Sequence, residues 1–438
     1  MLRFFYVLAV ASLWLGCASG DGNDTTESGF PSLLERSEAI RNGTEWDRVQ
    51  NLYGHATAAL RADPTAVEPR LELARVFVLE ARVTGEHGHY YPGALAVLQE
   101  ALNQNDLTPD QRYRALTLLA SVQLSQHEFA DALTTSMQAI QLNPYAAVGY
   151  GALVDAYVEL GEYDQAVAAA DKMVQVKPDL RSYARVSYLR EIHGRVDDAL
   201  ASMRLALDAG YPGTEEASWV RLTLGDILQQ YGRAAEAEDQ YRQALTDRPN
   251  YPFATAALAD LASQRGEFAE AEALLDEAIA AIPEVGFYEQ RVHIYRATGR
   301  EAEAERTVAE VLDMLQDDVD HGHNMNLEYA DVHINLTGDL DKALEYAMRE
   351  HDKRPKNIDV NRILSTIYYL QGDYVAADKY AQRASRTNSQ HPELQLVKGL
   401  LAVQRGEQQS GRAQIAAAQA LQPHPPSALA KALEQVEG

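Results

Sequence analysis

The chain has 438 residues, 39 Lys and Arg against 64 Asp and Glu for a formal net charge of −25, and a single cysteine. That length excludes one compact core, and the acidity, with no run of four basic residues, excludes a nucleic-acid reader. One cysteine excludes internal disulfides, iron–sulfur clusters and Cys-pair zinc motifs, so packing alone must hold the fold.

Residues 1–20, MLRFFYVLAVASLWLGCASG, combine an early cation (Arg3), an apolar stretch from Phe4 to Gly16 and then small residues, which is the pattern of an export signal. The stretch is too short to span a bilayer comfortably. Cys17 closes it, with Gly16 before and Ala18 after. This resembles a bacterial lipoprotein signal, although Trp14 stands where that signal usually has a small aliphatic residue. The resemblance implies lipid attachment at Cys17 and sorting to the outer membrane, facing the periplasm. The alternative is an ordinary signal cut after Gly20, leaving a soluble periplasmic chain. Residues 21–40, polar and Gly-containing at their start, are expected to form a flexible tether.

Residues 41–423 are self-similar. A turn residue recurs as His89, His127, Gly161, Gly194, Gly232, Gly266, Gly299, Gly338, Gly372 and Gly406. Five residues after each stands a small one, Ala94, Ala132, Ala166, Ala199, Ala237, Ala271, Ala304, Ala343, Ala377 and Gly411, and prolines follow at 144, 178, 249, 283, 355 and 423. The glycine turns the chain through positive φ, the small residue lets two antiparallel helices approach, and the proline stops the second helix. Between the marks the spacing predicts helices such as 147–160 and 163–176. Neither helix of such a pair can bury its apolar face alone, so stacking must complete the core.

The unit AAVGYGALVDAYVELGEYDQAVAAADKMVQVKP resembles a tetratricopeptide repeat, with Tyr150, Leu153, Tyr157, Gly161, Tyr163, Ala166, Ala170 and Pro178 at the family's signature places. The resemblance implies an all-α, right-handed superhelical solenoid of about ten helix-turn-helix repeats. Longer gaps put extra residues near 103–110, 208–216 and 317–325, and Ser389 replaces one proline. Residues 46–62 are expected as an irregular first unit, and residues 424–438 as a solvating capping helix.

No phosphate-binding loop, nucleophile elbow or zincin motif occurs, and catalysis is not expected. Two histidine clusters stand out, EHGHYY at 86–91 and DDVDHGHN at 317–324. Imidazoles two apart beside carboxylates can ligate Zn or Ni, which nominates His87, His89, Asp320, His321 and His323. One cluster falls inside a unit and the other between units, so they are expected to lie apart.

The family resemblance also implies that the first helix of each unit lines a concave groove for protein or peptide partners. Six before each turn residue stand Ser121, Asp155, Tyr188, Asp226, Asp260, His293, Val332, Thr366 and Leu400, and further along the same helices Trp219, Phe253, Glu289, Glu328 and Arg362. Aromatic anchors beside carboxylates suit a protein-binding groove. Arg181, Arg185 and Tyr188 share one helix face and either clamp an anion or pair with neighbouring aspartates. The expectation is a non-catalytic scaffold with an acidic groove for a basic or neutral segment. A metal-handling accessory protein and a soluble binding module are the alternatives.

Overall fold

The computed structural model describes residues 30–437, so the export signal and Cys17 lie outside the described residues. The architecture is all-α. The first helix, α1 (Gly43–Ala62), stands unpaired, and ten helical hairpins follow. They are α2 (Val67–Thr84) with α3 (His87–Leu102), α4 (Pro109–Ser125) with α5 (Phe129–Leu142), and α6 (Ala147–Glu159) with α7 (Tyr163–Val176). Then come α8 (Leu180–Ile192) with α9 (Val196–Asp208), α10 (Glu215–Gln230) with α11 (Ala234–Asp247), and α12 (Pro252–Gln264) with α13 (Phe268–Ala281). The last four are α14 (Val285–Ala297) with α15 (Glu301–Asp320), α16 (Asn326–Val332) with α17 (Leu340–Lys353), α18 (Ile358–Leu370) with α19 (Tyr374–Ala384), and α20 (Pro392–Gln404) with α21 (Gln408–Leu421). A final helix, α22 (Ser427–Glu437), ends the chain.

The repeat marks behave as their chemistry predicts. From His127 to Gly406 every turn residue has positive φ, between 60° and 85°. The alanine five residues later is fully buried in every hairpin that has one, because its Cβ sits where two helix axes approach most closely. A larger side chain there would be overpacked. The first hairpin breaks the register. Its turn residue is Gly85 (φ 77°), and His89 lies inside α3, where it donates to the Ser32 carbonyl at 2.7 Å. The third insertion is also partly helical, since it lengthens α15 through Asp320 instead of forming a loop throughout.

Consecutive first helices touch one another (α2 with α4, α4 with α6, and so on), whereas second helices do not approach one another as closely. The stack therefore curves with its first helices inside. It curves tightly enough to meet itself. Arg354, in the loop after α17, forms an ion pair with Glu159 at the end of α6, 195 residues earlier, and a second with Glu350. Lys356 donates to Glu162 at 2.7 Å, and the Ile358 amide to the Tyr163 hydroxyl at 2.9 Å. Arg386 donates to the Gly161 carbonyl, and the Asn324 amide to the Gln126 carbonyl at 3.2 Å. The pattern is regular: turns within hairpins of the first superhelical turn abut loops between hairpins of the second.

Both ends differ from expectation. Residues 30–40 are docked. Phe30, Leu33 and Leu34 pack into the first core cluster, the Leu34 amide donates to Tyr90, and buried Arg36 forks onto Glu80 (2.6 and 2.9 Å) and reaches Glu45. Ser37 donates to the Ala281 carbonyl, and Arg248 bonds Glu45, so this segment seals loops near 248–282. A buried arginine with two carboxylates cannot be left in a mobile tether without abandoning its partners in a low-dielectric site. At the other end α22 does not only solvate a terminus. It lies across α18, α20 and the end of α16, burying Leu429, Ala432 and Leu433.

Candidate functional site: the inner face of the superhelix

The inner face is built from side chains that bond from one first helix to the next. Arg82 donates to Ser121 (2.8 Å), and Arg185 forks onto Asp155 (2.6 and 2.8 Å). Arg181 pairs with Glu216, Gln229 donates to Asp260 (2.6 Å), and Arg362 pairs with Glu393. The Arg185, Gln229 and Arg362 rungs satisfy polar groups that are half-buried or buried, whereas the Arg82 and Arg181 rungs lie at the surface.

This ladder assigns most of the residues expected in the groove. Asp155 is neutralised by Arg185, Asp226 accepts from the Tyr241 hydroxyl at 2.9 Å, and Asp260 accepts from both Gln229 and Gln264. The three aspartates are half-buried rungs and not a free acidic stripe. Arg181 and Arg185 are likewise committed, though Arg181 takes Glu216 where Asp226 was the expected partner. Tyr188 faces the joint between superhelical turns, lining a small cleft with Glu191, Ile358, Asp359 and His391, and burial pushes its hydroxyl well above the usual range. Val332, Thr366 and Leu400 are buried, Leu400 in one cluster with Leu429 of α22.

What the ladder leaves over is concentrated on α10 to α16. Trp219 is half-buried against the fourth core cluster, and Phe253 packs between Tyr251 and Phe287 with ring centroids 5.4 and 5.7 Å apart. His293 is exposed. Glu289 makes no ion pair among the described residues, and burial together with the neighbouring Asp331 and Glu328 pushes its carboxyl up to about 8. Asp331, whose carboxylate accepts only from Asn335 among the described residues, is raised by the same burial. Two acids that resist ionisation side by side are a place where an incoming cation gains more than it would on an open surface.

A π-helical turn, His333–Thr337, ends α16 and was not visible in the sequence. Its displaced carbonyls are taken by Arg296, which donates to Leu336 O at 2.6 Å, and by Ser427 of α22, which donates to Asn335 O at 3.1 Å. The irregularity thus forms one wall of the inner face and seats the C-terminal helix.

The histidine clusters, expected apart, meet. α3 packs on α15, and the rings of His87 and His323 lie 5.7 Å apart between superhelical turns. Both are buried. His323 donates from Nδ1 to the Asp318 carbonyl at 3.2 Å, while its Nε2 and both nitrogens of His87 have no hydrogen-bond partner among the described residues. Burial, with the charge of His127 and His321, holds His323 at about 4, and burial, with the charge of His323, His127 and Arg82, holds His87 well below the ordinary histidine value. Of the remaining nominees, His89 bonds Ser32, Asp320 accepts from Gln316, and the partly exposed His321 ring lies against Gly88 of the first cluster. No group of three His, Cys, Asp or Glu side chains converges among the described residues.

The fold defines a helical-hairpin solenoid whose first helices line its inner face. Tetratricopeptide-repeat family models match residues 152–213 and 228–285. The chain carries tetratricopeptide repeats over these two stretches, in a stack of ten hairpins, and proteins built of such repeats are generally non-catalytic scaffolds that bind protein or peptide partners. It is 24% identical over 115 residues to the small glutamine-rich tetratricopeptide repeat-containing protein 2 of Saccharomyces cerevisiae, a match covering 26% of this chain and 33% of that protein. The chain thus spans about a third of the length of the curated relative it matches. Among solved structures it is similar to a thermophilic tetratricopeptide repeat protein of Thermus thermophilus (25% identity, 44% of this chain and 99% of that one, TM-score 0.38). A second is a tetratricopeptide repeat protein of Parabacteroides merdae (18% identity, 56% and 93%, TM-score 0.40).

Proposed function

We propose that this chain is an exported scaffold of the bacterial cell envelope, lipid-anchored through Cys17 at the outer membrane, that holds a partner protein by a cationic segment laid along α10 to α16. The observation that carries the groove reading is the Glu289 and Asp331 pair, two acids that make no ion pair among the described residues, on a face where Asp155, Asp226 and Asp260 are already engaged. Trp219 and Phe253 supply apolar area beside it. Because Arg181 and Arg185 are occupied by Glu216 and Asp155, an anionic ligand would have to break two ion pairs to bind there. The anchor reading rests on the sequence around Cys17, and no helix among the described residues is long and apolar enough to cross a membrane.

In-cell crosslinking with mass spectrometry identifies the captured partner, and binding is then measured on variants. Glu289→Gln with Asp331→Asn lowers the on-rate and its salt dependence, whereas Trp219→Ala raises the off-rate. Binding unaffected by these changes but lost on mutating Arg181 and Arg185 would overturn the cationic-segment reading. Retained membrane attachment in Cys17→Ser would overturn the anchor. A metal-handling role finds two histidine side chains and no third His, Cys, Asp or Glu donor among the described residues, so it is not the reading advanced.

A further inference from the structure

The joint between superhelical turns has two mating edges, and each recurs unused elsewhere in the molecule. One edge consists of the turns within hairpins. At Gly161 an added Cβ would lie 2.4 Å from the Lys356 backbone, and at Gly194 2.4 Å from the Asn388 carbonyl, so these turns are covered. At Gly266, Gly299, Gly338, Gly372 and Gly406 it would meet nothing within 4 Å among the described residues. The other edge consists of the loops between hairpins. Those near 323–325, 354–358 and 387–389 are largely buried in the joint, whereas those of the earlier hairpins expose Tyr145 (82%) and Tyr211 (81%).

The joint also has a recurring chemistry. Two residues after His127 and Gly161 stand Phe129 and Tyr163, and each ring is capped by an arginine from a later loop, Arg354 at 4.7 Å and Arg386 at 4.7 Å. The same place on the open edge holds Phe268 and Tyr374, the latter 41% exposed beside Val375 at 85%, against 5% for Tyr163. On the open loop edge Lys177 directly precedes Pro178 as Arg354 precedes Pro355, and its side chain is largely exposed, with the ammonium 3.2 Å from Asp179 in an ion pair as Arg354 is with Glu350.

We propose that a second copy of this chain occupies these edges. The open turns of hairpins six to ten in one copy seat on the open loops of hairpins one to four in the next, repeating between molecules the contact that already exists within one. The directions agree, because inside the chain earlier turns face later loops, so open turns lie at the trailing edge and open loops at the leading edge. The two surfaces differ, which makes the interface heterologous, and stacking along the superhelix axis does not close on itself. Aromatic side chains with a lysine to cap them give the contact both apolar area and cation–π attraction.

Sedimentation velocity on the full chain over a concentration series tests this. The account predicts reversible, open-ended growth in mass with concentration. It predicts at least about tenfold weaker association for a loop-edge variant (Tyr145→Asp with Tyr211→Asp) and for a turn-edge variant (Tyr374→Asp with Val375→Asp). These side chains are solvent-exposed, and an unchanged thermal melt confirms that each variant folds. Mixing the two variants must yield a one-to-one dimer and nothing larger, because each retains the face the other lacks. A chain that stays monomeric throughout, variants that assemble like the parent, or a mixture that forms no dimer would each overturn the proposal.

Discussion

Hairpins three to five and hairpins six to ten use the same turn glycine for different reasons. In the later hairpins the glycine is there for its backbone, since a side chain would meet only solvent at positive φ. In the earlier ones it must also admit the backbone of a chain segment about 195 residues away. A repeat protein is ordinarily a sum of nearest-neighbour contacts. Here the contact between turns adds a long-range term, in which buried charges (Arg354 with Glu159 and Glu350), a histidine pair (His87 and His323) and close backbone approaches join early hairpins to late ones.

The largest effect should come from removing the charge at the centre of that contact. Arg354→Leu leaves Glu159 and Glu350 buried without their cation and should cost about 3–5 kcal/mol, read by chemical denaturation. Next, Gly161→Ala and Gly372→Ala separate the two uses of glycine. The first should cost about 2–4 kcal/mol, because both φ and the Lys356 backbone oppose the methyl, and the second about 1 kcal/mol for φ alone. Equal losses at the two sites would break the comparison.

The histidine pair gives a pH signature confined to the same joint. Folding depresses His323 to about 4 and His87 well below the ordinary histidine value, with His127, Arg82 and His321 as the facing cationic groups. An unfolded histidine titrates near 6.5. Between that value and about 4 the unfolded chain therefore binds more protons, and stability falls as pH falls through this window. Melting curves of His87→Phe should show a shallower acid-side decline than the parent, with little difference at pH 8. The smallest effect compares two tyrosines at equivalent places. Tyr163→Phe loses the acceptor for the Ile358 amide and should cost about 1 kcal/mol, while Tyr374→Phe should fall within about 0.5 kcal/mol.

The Gly, Ala and Pro marks made the hairpins legible because each residue type answers a local need. The register failed only in the first hairpin, where the His-Gly-His run near residue 88 was more conspicuous than Gly85, four residues ahead of His89. The contacts of Arg354 and Arg386 were illegible for a physical reason: nothing local distinguishes an arginine on a surface loop from one that meets a turn laid down five or six hairpins earlier. The same holds for Arg36, whose segment looked polar enough to be a tether until Glu80 and Glu45 accounted for its charge. Asp155, Asp226 and Asp260 were placed on the right helices, but their partners sit one helix over or on the paired helix, which spacing along one chain segment does not reveal. The apolar turn of the row at Val332 and Leu400 was a signal that something covers that end, and α22 supplies part of that cover.

The central claim is that the superhelix closes on itself in solution. Spin labels at Glu162→Cys and Lys356→Cys, in a Cys17→Ser chain, report it directly by pulsed electron–electron resonance, because the two positions are joined by an ion pair of 2.7 Å. The account predicts a single narrow distribution at the short limit of the method, which broadens and lengthens when Arg354→Leu is added. A broad, long distribution in the otherwise unmodified chain would mean that the turns stand apart, and would contradict it.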